Sequence, residues 1–279
     1  MIKAIRKVHP SQVLLHLFLI LFLLINIFPV AWMISCSLKS PTELFDGTIH
    51  IIPLKTTMEN YHTVFSEYAI FDWIKNSLVT TVGITILTII VSFLAAFGLC
   101  YYKTKFNSFL FYLLYLTMVI PFQVTMIPNY VVISRMGLMN TWSGVILPNV
   151  CNAAVFFFLY QSVRSVHPAY YEAAKIEGAN SFWVMTRVTF GICKGALAAR
   201  SILTFIESWN IYFWPMLVLT KPETRTITVG LKQFLDFEMG NRWGPFLATA
   251  TIATMPVVLV YLVLQRRIIG AFTSVGIKG

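Results

Sequence analysis

Glu207 is a carboxylate inside an apolar run. An isolated carboxylate in hydrocarbon costs about 3 kcal/mol or more unless it is paired, protonated or wetted, so the position reads as functional. No Lys, Arg or His inside a central apolar run is read as a partner, Arg200 being counted with the flanking charges. Two chemistries are open to it: a proton relay, or a polar contact for a solute in transit, with Asn210 three residues further on. Asn149 and Asn152 stand one helical turn apart, so their amides point the same way. Amides both donate and accept, which suits a hydroxylated solute and an interhelical hydrogen bond equally well. Ser77, Thr81, Thr85, Thr88 and Ser92 fall within an arc of about 80° at about 100° per residue. Such a stripe reads first as a close-packing seam, and otherwise as the lining of a route through the membrane. The candidate path is therefore Glu207, Asn210, Asn149, Asn152, Ser77, Thr81 and Thr85.

Enzymatic chemistry finds no purchase. The chain has no His-Glu-x-x-His, no Gly-x-Ser-x-Gly and no Gly-Lys dipeptide, so it carries no Walker A loop. Cys36, Cys100, Cys151 and Cys193 show neither Cys-x-x-Cys nor Cys/His ligand spacing, and they read as packing residues with no metal. Any nucleotide that powers this protein is expected on another subunit.

The elements that must hold these residues are membrane helices. With 57% hydrophobic and 11% charged residues and a mean hydropathy of +0.74, the chain is too apolar for a soluble domain of its length. Six runs are long enough to span a core of roughly 30 Å: residues 13–36, 77–102, 109–133, 143–163, 196–219 and 245–265. The first is too long for a signal-peptide core and lacks a small-x-small cleavage site, so it is taken as an uncleaved span. The fold class expected is an all-α membrane protein, one domain over residues 1–279 with six transmembrane helices.

The net charge of +10 is scattered at the ends of the runs and does not cluster with aromatics as in a nucleic-acid site. Counted by side, thirteen Lys and Arg against two Glu flank the termini, and eight against eight lie opposite. The positive-inside rule then places both termini in the cytoplasm. Two loops on the far side, about 37–76 and 220–244, carry Trp73 and Trp243, which read as interfacial anchors or as a surface for an external partner.

One polar connection stands out on the cytoplasmic side, Pro168 to Gly178. Pro168 suits the first helical position and Gly178 the residue after a helix end. Ala169, Ala173, Ala174 and Ile176 are expected to form a smooth apolar surface between them. Lone Lys175 beside Glu172 and Glu177 argues against a helix lying on headgroups.

Glu172, Ala173, Ala174 and Gly178 resemble the EAA loop of ATP-binding-cassette import permeases, here within residues 164–195. The likeness extends to Phe28-Pro29-Val30-Ala31-Trp32-Met33, Asn76-Ser77-Leu78, Ile146-Leu147-Pro148, Ser208-Trp209-Asn210, Phe213-Trp214-Pro215 and Gly276-Ile277-Lys278-Gly279, in order along most of the chain. The chain is similar to the six-span member of the carbohydrate (maltose-transporter-type) permease pair.

That resemblance implies a MetI-like fold and a sugar or oligosaccharide importer subunit in the inner membrane of a prokaryote. It also implies a homologous permease, two ATPase subunits carrying ATP and Mg, and an extracytoplasmic binding protein as partners. Glu172, Ala173, Ala174 and Gly178 would couple to the ATPase, and Gly276, Lys278 and Gly279 would make a second contact. A proton-coupled carrier using Glu207, or the same importer architecture serving a non-sugar solute, are the alternatives.

Two departures carry expectations of their own. Gly191 and Gly195 stand where the family has prolines, which predicts a looser joint behind the loop. Ile211 stands where the family has an acid, with Glu207 one turn earlier.

Overall fold

The computed structural model describes residues 10–48, 50–235 and 240–276, and every regular element among them is helical. The helices are α1 (Pro10–Ser37), α2 (Pro41–Leu44), α3 (Glu59–Glu67), α4 (Ile70–Tyr101), α5 (Asn107–Val119), α6 (Phe122–Arg135), α7 (Trp142–Ile146), α8 (Ala153–Arg164), α9 (Pro168–Ile176), α10 (Ser181–Trp209), α11 (Phe213–Val218) and α12 (Trp243–Gly276). Four of these, α1, α4, α10 and α12, are long and apolar enough to cross a membrane. Counting each of two bent helix pairs as one span brings the number among the described residues to six.

The third and fourth runs are bent at prolines, residues that kink or interrupt membrane helices. Helices α5 and α6 meet at 99°, with Pro121 at the corner. A residue before proline is pushed out of the helical region, and Ile120 is extended at ψ 113°. The segment Trp142–Asn149 meets α8 at 52° just after Pro148.

The fifth span is also displaced. The sequence places it at residues 196–219, whereas α10 starts at Ser181, stops at Trp209, and gives way through Asn210 to Tyr212 to the short α11. The early half of α10 carries Arg187 and Lys194, which mask its helical character from a hydropathy reading. At 29 residues it is about 43 Å long, well beyond a roughly 30 Å core.

By contact the chain forms two units. In the unit of Met1–Tyr68 with Gln233–Ile252, the apolar window of α1 is nowhere buried within the chain, and the segment after it is tied down by polar contacts. Asn60 on α3 donates to the carbonyls of Ser37 at 2.9 Å and Lys39 at 2.8 Å. Buried Lys39 donates to the His50 carbonyl and stands 4.6 Å from the Trp32 ring centre. Arg242 bonds to Glu67 at 2.9 Å and to the Tyr68 hydroxyl at 2.8 Å.

In the unit of Ala69–Lys232 with Ala253–Gly279, α4 is the central post, packed by α8 and α10. Phe93 and Ala96 of α4, Val155, Phe156, Leu159 and Val163 of α8, and Cys193 and Leu197 of α10 make its main apolar core. At its other end α4 is fastened to the 222–227 segment. Trp73 donates to the Pro222 carbonyl at 2.8 Å, Asn76 to the carbonyls of Glu223 and Arg225, and Ser77 accepts the Ile227 N–H at 2.8 Å. Trp142 in turn donates to the Asn76 side-chain oxygen. Gly230 completes this clasp because a Cβ there would stand 2.3 Å from the Trp73 ring.

Candidate functional site

Helix α9 is built by local chemistry at both ends. Pro168 occupies the first turn, and the Ala169 N–H donates to His167 Nδ1 at 3.2 Å. At the other end Gly178 takes φ +77°. From there the Gly178 N–H reaches the Lys175 carbonyl at 3.0 Å and the Ala179 N–H the Ala174 carbonyl at 2.9 Å, a Schellman closure that glycine accepts without strain. Space is not the reason for that glycine, since nothing lies within 4 Å of a Cβ added there.

The helix divides its residues sharply. Tyr171 and Ala174, three apart, form an inner stripe against α4 and the start of α10. Ala174 is 5% exposed and packs with Phe97 and Val184, and Tyr171 meets Tyr101 edge-on at 5.5 Å. Burial raises the Tyr171 phenol pKa. Ala169, Ala173 and Ile176, at i, i+4 and i+7, form the outer stripe. Ile176 is 88% exposed, with no core to hide in. The smooth surface expected from the sequence is thus corrected: Ala174 belongs to the chain's own packing, and the outward face is Ala169, Ala173 and Ile176. Glu172 is exposed on the flank of that face. Gly276 ends the described part of α12, and Lys278 and Gly279 lie outside the described residues.

Behind α9, the chain enters α10 through a wide turn. Val184–Thr189 is π-helical, and the Phe190 N–H reaches back five residues to the Met185 carbonyl. The looser joint expected at Gly191 and Gly195 is not a break, because α10 runs unbroken through both. A Cβ at either would meet nothing within 4 Å. Gly191→Ala and Gly195→Ala are each expected to stabilise the chain by about 0.5–1 kcal/mol, read as a higher unfolding temperature of the purified protein in detergent.

The candidate path residues take different positions. Ser77, Thr81, Thr85, Thr88 and Ser92 are all buried within the chain; Thr85 donates to the Thr81 carbonyl at 2.7 Å and Thr88 to that of Asn149 at 3.2 Å. Asn149 and Asn152 do not share a helical face, because the helix breaks between them. Each serves one side of that break: Asn149 donates to the Val145 carbonyl at 2.8 Å, and the Asn152 side chain accepts the Val155 N–H at 3.2 Å, capping α8. Asn210 is exposed and donates to the Ile206 carbonyl in the last turn of α10.

Glu207 has a partner that the sequence reading missed. Arg200 lies seven residues earlier on α10, and its Nη2 stands 2.7 Å from Glu207 Oε2. The Arg200 side chain is 11% exposed and that of Glu207 54%, so the pair runs from the packed interior to the chain's surface. The signal was in the sequence, since residues seven apart lie about 20° from the same line on a helix. Counting Arg200 among the flanking charges, although the run 196–219 contains it, conceals the pair. Arg200 Nε and the Thr204 hydroxyl, one turn on, are buried without a hydrogen-bond partner among the described residues. The pairing removes the energetic case for Glu207 as a lone relay.

Residues 88–272 match the family described as binding-protein-dependent transport system inner membrane component. Among curated proteins, the chain is 29% identical over 269 residues to the sn-glycerol-3-phosphate transport system permease protein UgpE of Brucella abortus (strain 2308), covering 92% of this chain and 94% of that one. It is 30% identical over 271 residues to the arabinooligosaccharides transport system permease protein AraQ of Bacillus subtilis (strain 168), covering 96% of each. Among solved structures, it superposes with a TM-score of 0.82 on a chain of a bacterial ABC transporter involved in the import of the acidic polysaccharide alginate, at 22% identity over 95% of this chain and 99% of that one. A second match is to the bacterial alginate ABC transporter in complex with alginate pentasaccharide-bound periplasmic protein, with a TM-score of 0.68, 15% identity and coverage of 92% and 94%.

Proposed function

The chain belongs to the family of binding-protein-dependent transport system inner membrane components, and we propose that it imports a sugar or oligosaccharide under the drive of a separate ATPase docked on α9. Family membership makes it a multi-pass transport subunit of the inner membrane that works with a solute-binding protein. The observation that carries the ATPase reading is the outer stripe of α9. Ala169 and Ala173 are small enough for another backbone to approach closely, and Ile176 projects from the end of the helix. The inner stripe fixes α9 to α4 and α10, so a push on the outer stripe passes directly to two spans.

In this reading ATP and Mg act on the ATPase, a homologous permease completes the membrane pair, and both termini face the cytoplasm. The excess of basic residues on the α9 side supports that orientation, and removing Arg200 from the count leaves the excess in place. Relatives named for a phosphorylated polyol and for oligosaccharides support a hydroxyl-rich solute.

The docking claim is tested by cysteine crosslinking in the assembled transporter, with the exposed Cys151 first replaced by Ser. Ala173→Cys and Ile176→Cys are expected to crosslink to the ATPase subunit, and Ala174→Cys to stay inert. Uptake in vesicles is expected to need ATP and the binding protein; uptake driven by a pH gradient alone would sink the reading.

A further inference from the structure

A cavity of about 550 Å³ opens beside α9, within the usual size range of small-molecule sites. Its walls come from four elements that meet at one level: the end of α4, the start of α5, the end of α8 and one flank of α9. Three of these are membrane-spanning segments leaving the apolar zone, so the cavity sits where hydrocarbon gives way to headgroups. The lining mixes two kinds of side chain. Leu99, Phe111 and Val163 supply apolar surface, and Lys103, Arg164 and Lys175 supply cations.

The charges are unbalanced. Three cations face a single carboxylate, Glu172, and among the described residues none of the three stands within ion-pair distance of an acid. Lys175 is held 5.4 Å from the Tyr101 ring centre, which fixes its direction without neutralising it. The Tyr171 hydroxyl at the cavity wall is buried beside the Thr189 hydroxyl, which donates to the Val184 carbonyl and keeps lone pairs with which to accept from it. A site that combines apolar and cationic side chains at the membrane boundary complements one chemistry above others, a phosphate ester carried on an acyl chain. Basic pockets between transmembrane helices hold anionic headgroups on this principle.

We propose that this cavity binds the phosphate-bearing headgroup of an anionic phospholipid. The three cations sit on three separate elements: Lys103 in the α4–α5 loop, Arg164 at the end of α8 and Lys175 on α9. One phosphate among them braces α9 against the spans and leaves its outer stripe free. The proposal stands on the membrane placement of the chain and does not depend on what docks at that stripe.

The test uses the assembled transporter in nanodiscs of phosphatidylcholine with added phosphatidylglycerol, reading retained lipid by native mass spectrometry. Wild type is expected to retain phosphatidylglycerol. Lys103→Gln, Arg164→Gln and Lys175→Gln are each expected to weaken retention about fivefold, in keeping with the worth of one basic residue at a membrane surface. Lys105→Gln, equally exposed but outside the lining, is expected to change nothing, and Lys103→Arg to retain the lipid. Because every substituted side chain is exposed, the single variants keep the test open if the triple variant does not assemble. Equal retention in all variants, equal loss in Lys105→Gln, or displacement of the lipid by inorganic phosphate or glycerol phosphate would each overturn the proposal, the last by assigning the site to a soluble phosphate compound.

Discussion

Ala173→Trp is expected to lower ATP-driven uptake by roughly thirtyfold or more, the scale of a lost interface anchor, while leaving the chain's own stability within about 0.5 kcal/mol. The side chain points outward, so the indole meets nothing within this subunit and obstructs only what docks on α9. Ala174→Trp is the matched opposite. There the indole must enter the packing of Phe97 and Val184, and overpacking of that kind costs about 1–3 kcal/mol and displaces the helix. Unfolding temperature and uptake, measured together, separate the two. Loss of uptake with normal stability is expected at 173, and loss of stability at 174. Normal transport by Ala173→Trp would show that the outer stripe is not a docking face.

The second large effect concerns Arg200 and Glu207. Glu207→Gln removes the only anion within ion-pair distance of Arg200 among the described residues, and leaves a buried guanidinium whose Nε already lacks a partner. Breaking a buried pair from one side costs about 3–5 kcal/mol, and the half-exposure of Glu207 places this case at the lower end, about 3 kcal/mol. Arg200→Met is expected to cost less, about 1 kcal/mol, because the exposed carboxylate takes up water or a proton. The double variant should lie close to wild type, since it removes both charges together. A double-mutant cycle from denaturation in detergent measures the coupling. Equal costs for the two single variants would contradict the inside-to-surface geometry of the pair.

How far the sequence discloses this protein depends on the range of the forces involved. The ends of α9 are legible because Pro168 and Gly178 act within a turn of themselves, through a missing N–H and a left-handed backbone. The six apolar segments are legible because span length and hydropathy are bulk properties of a window. Ala173 and Ala174 are identical neighbours, and only the presence of Phe97 and Val184 from distant segments tells them apart. The same holds for Asn149 and Asn152, whose regular spacing implies a shared face until the backbone breaks between them. The early half of α10 is hidden for a related reason, since its charges look like loop to a hydropathy window. Arg200 escapes as the partner of Glu207 because a charge count by side assigns it to the flank of the span that contains it. The cavity beside α9 has no local signature, being assembled from helix ends far apart in the chain.

The wide turn at Val184–Thr189 bears on all of α10 beyond it. A π-helical turn accommodates one residue more than an α-helical turn would. If it tightens, the surplus residue must be absorbed downstream, by a rotation of about 100° about the helix axis and an advance of about 1.5 Å. Arg200 lies eleven residues past Thr189, so the azimuth of the ion pair is set by the phase of a single turn next to α9. The helix can work as a crankshaft, in which a change of winding at one end selects the face that the charged pair presents at the other.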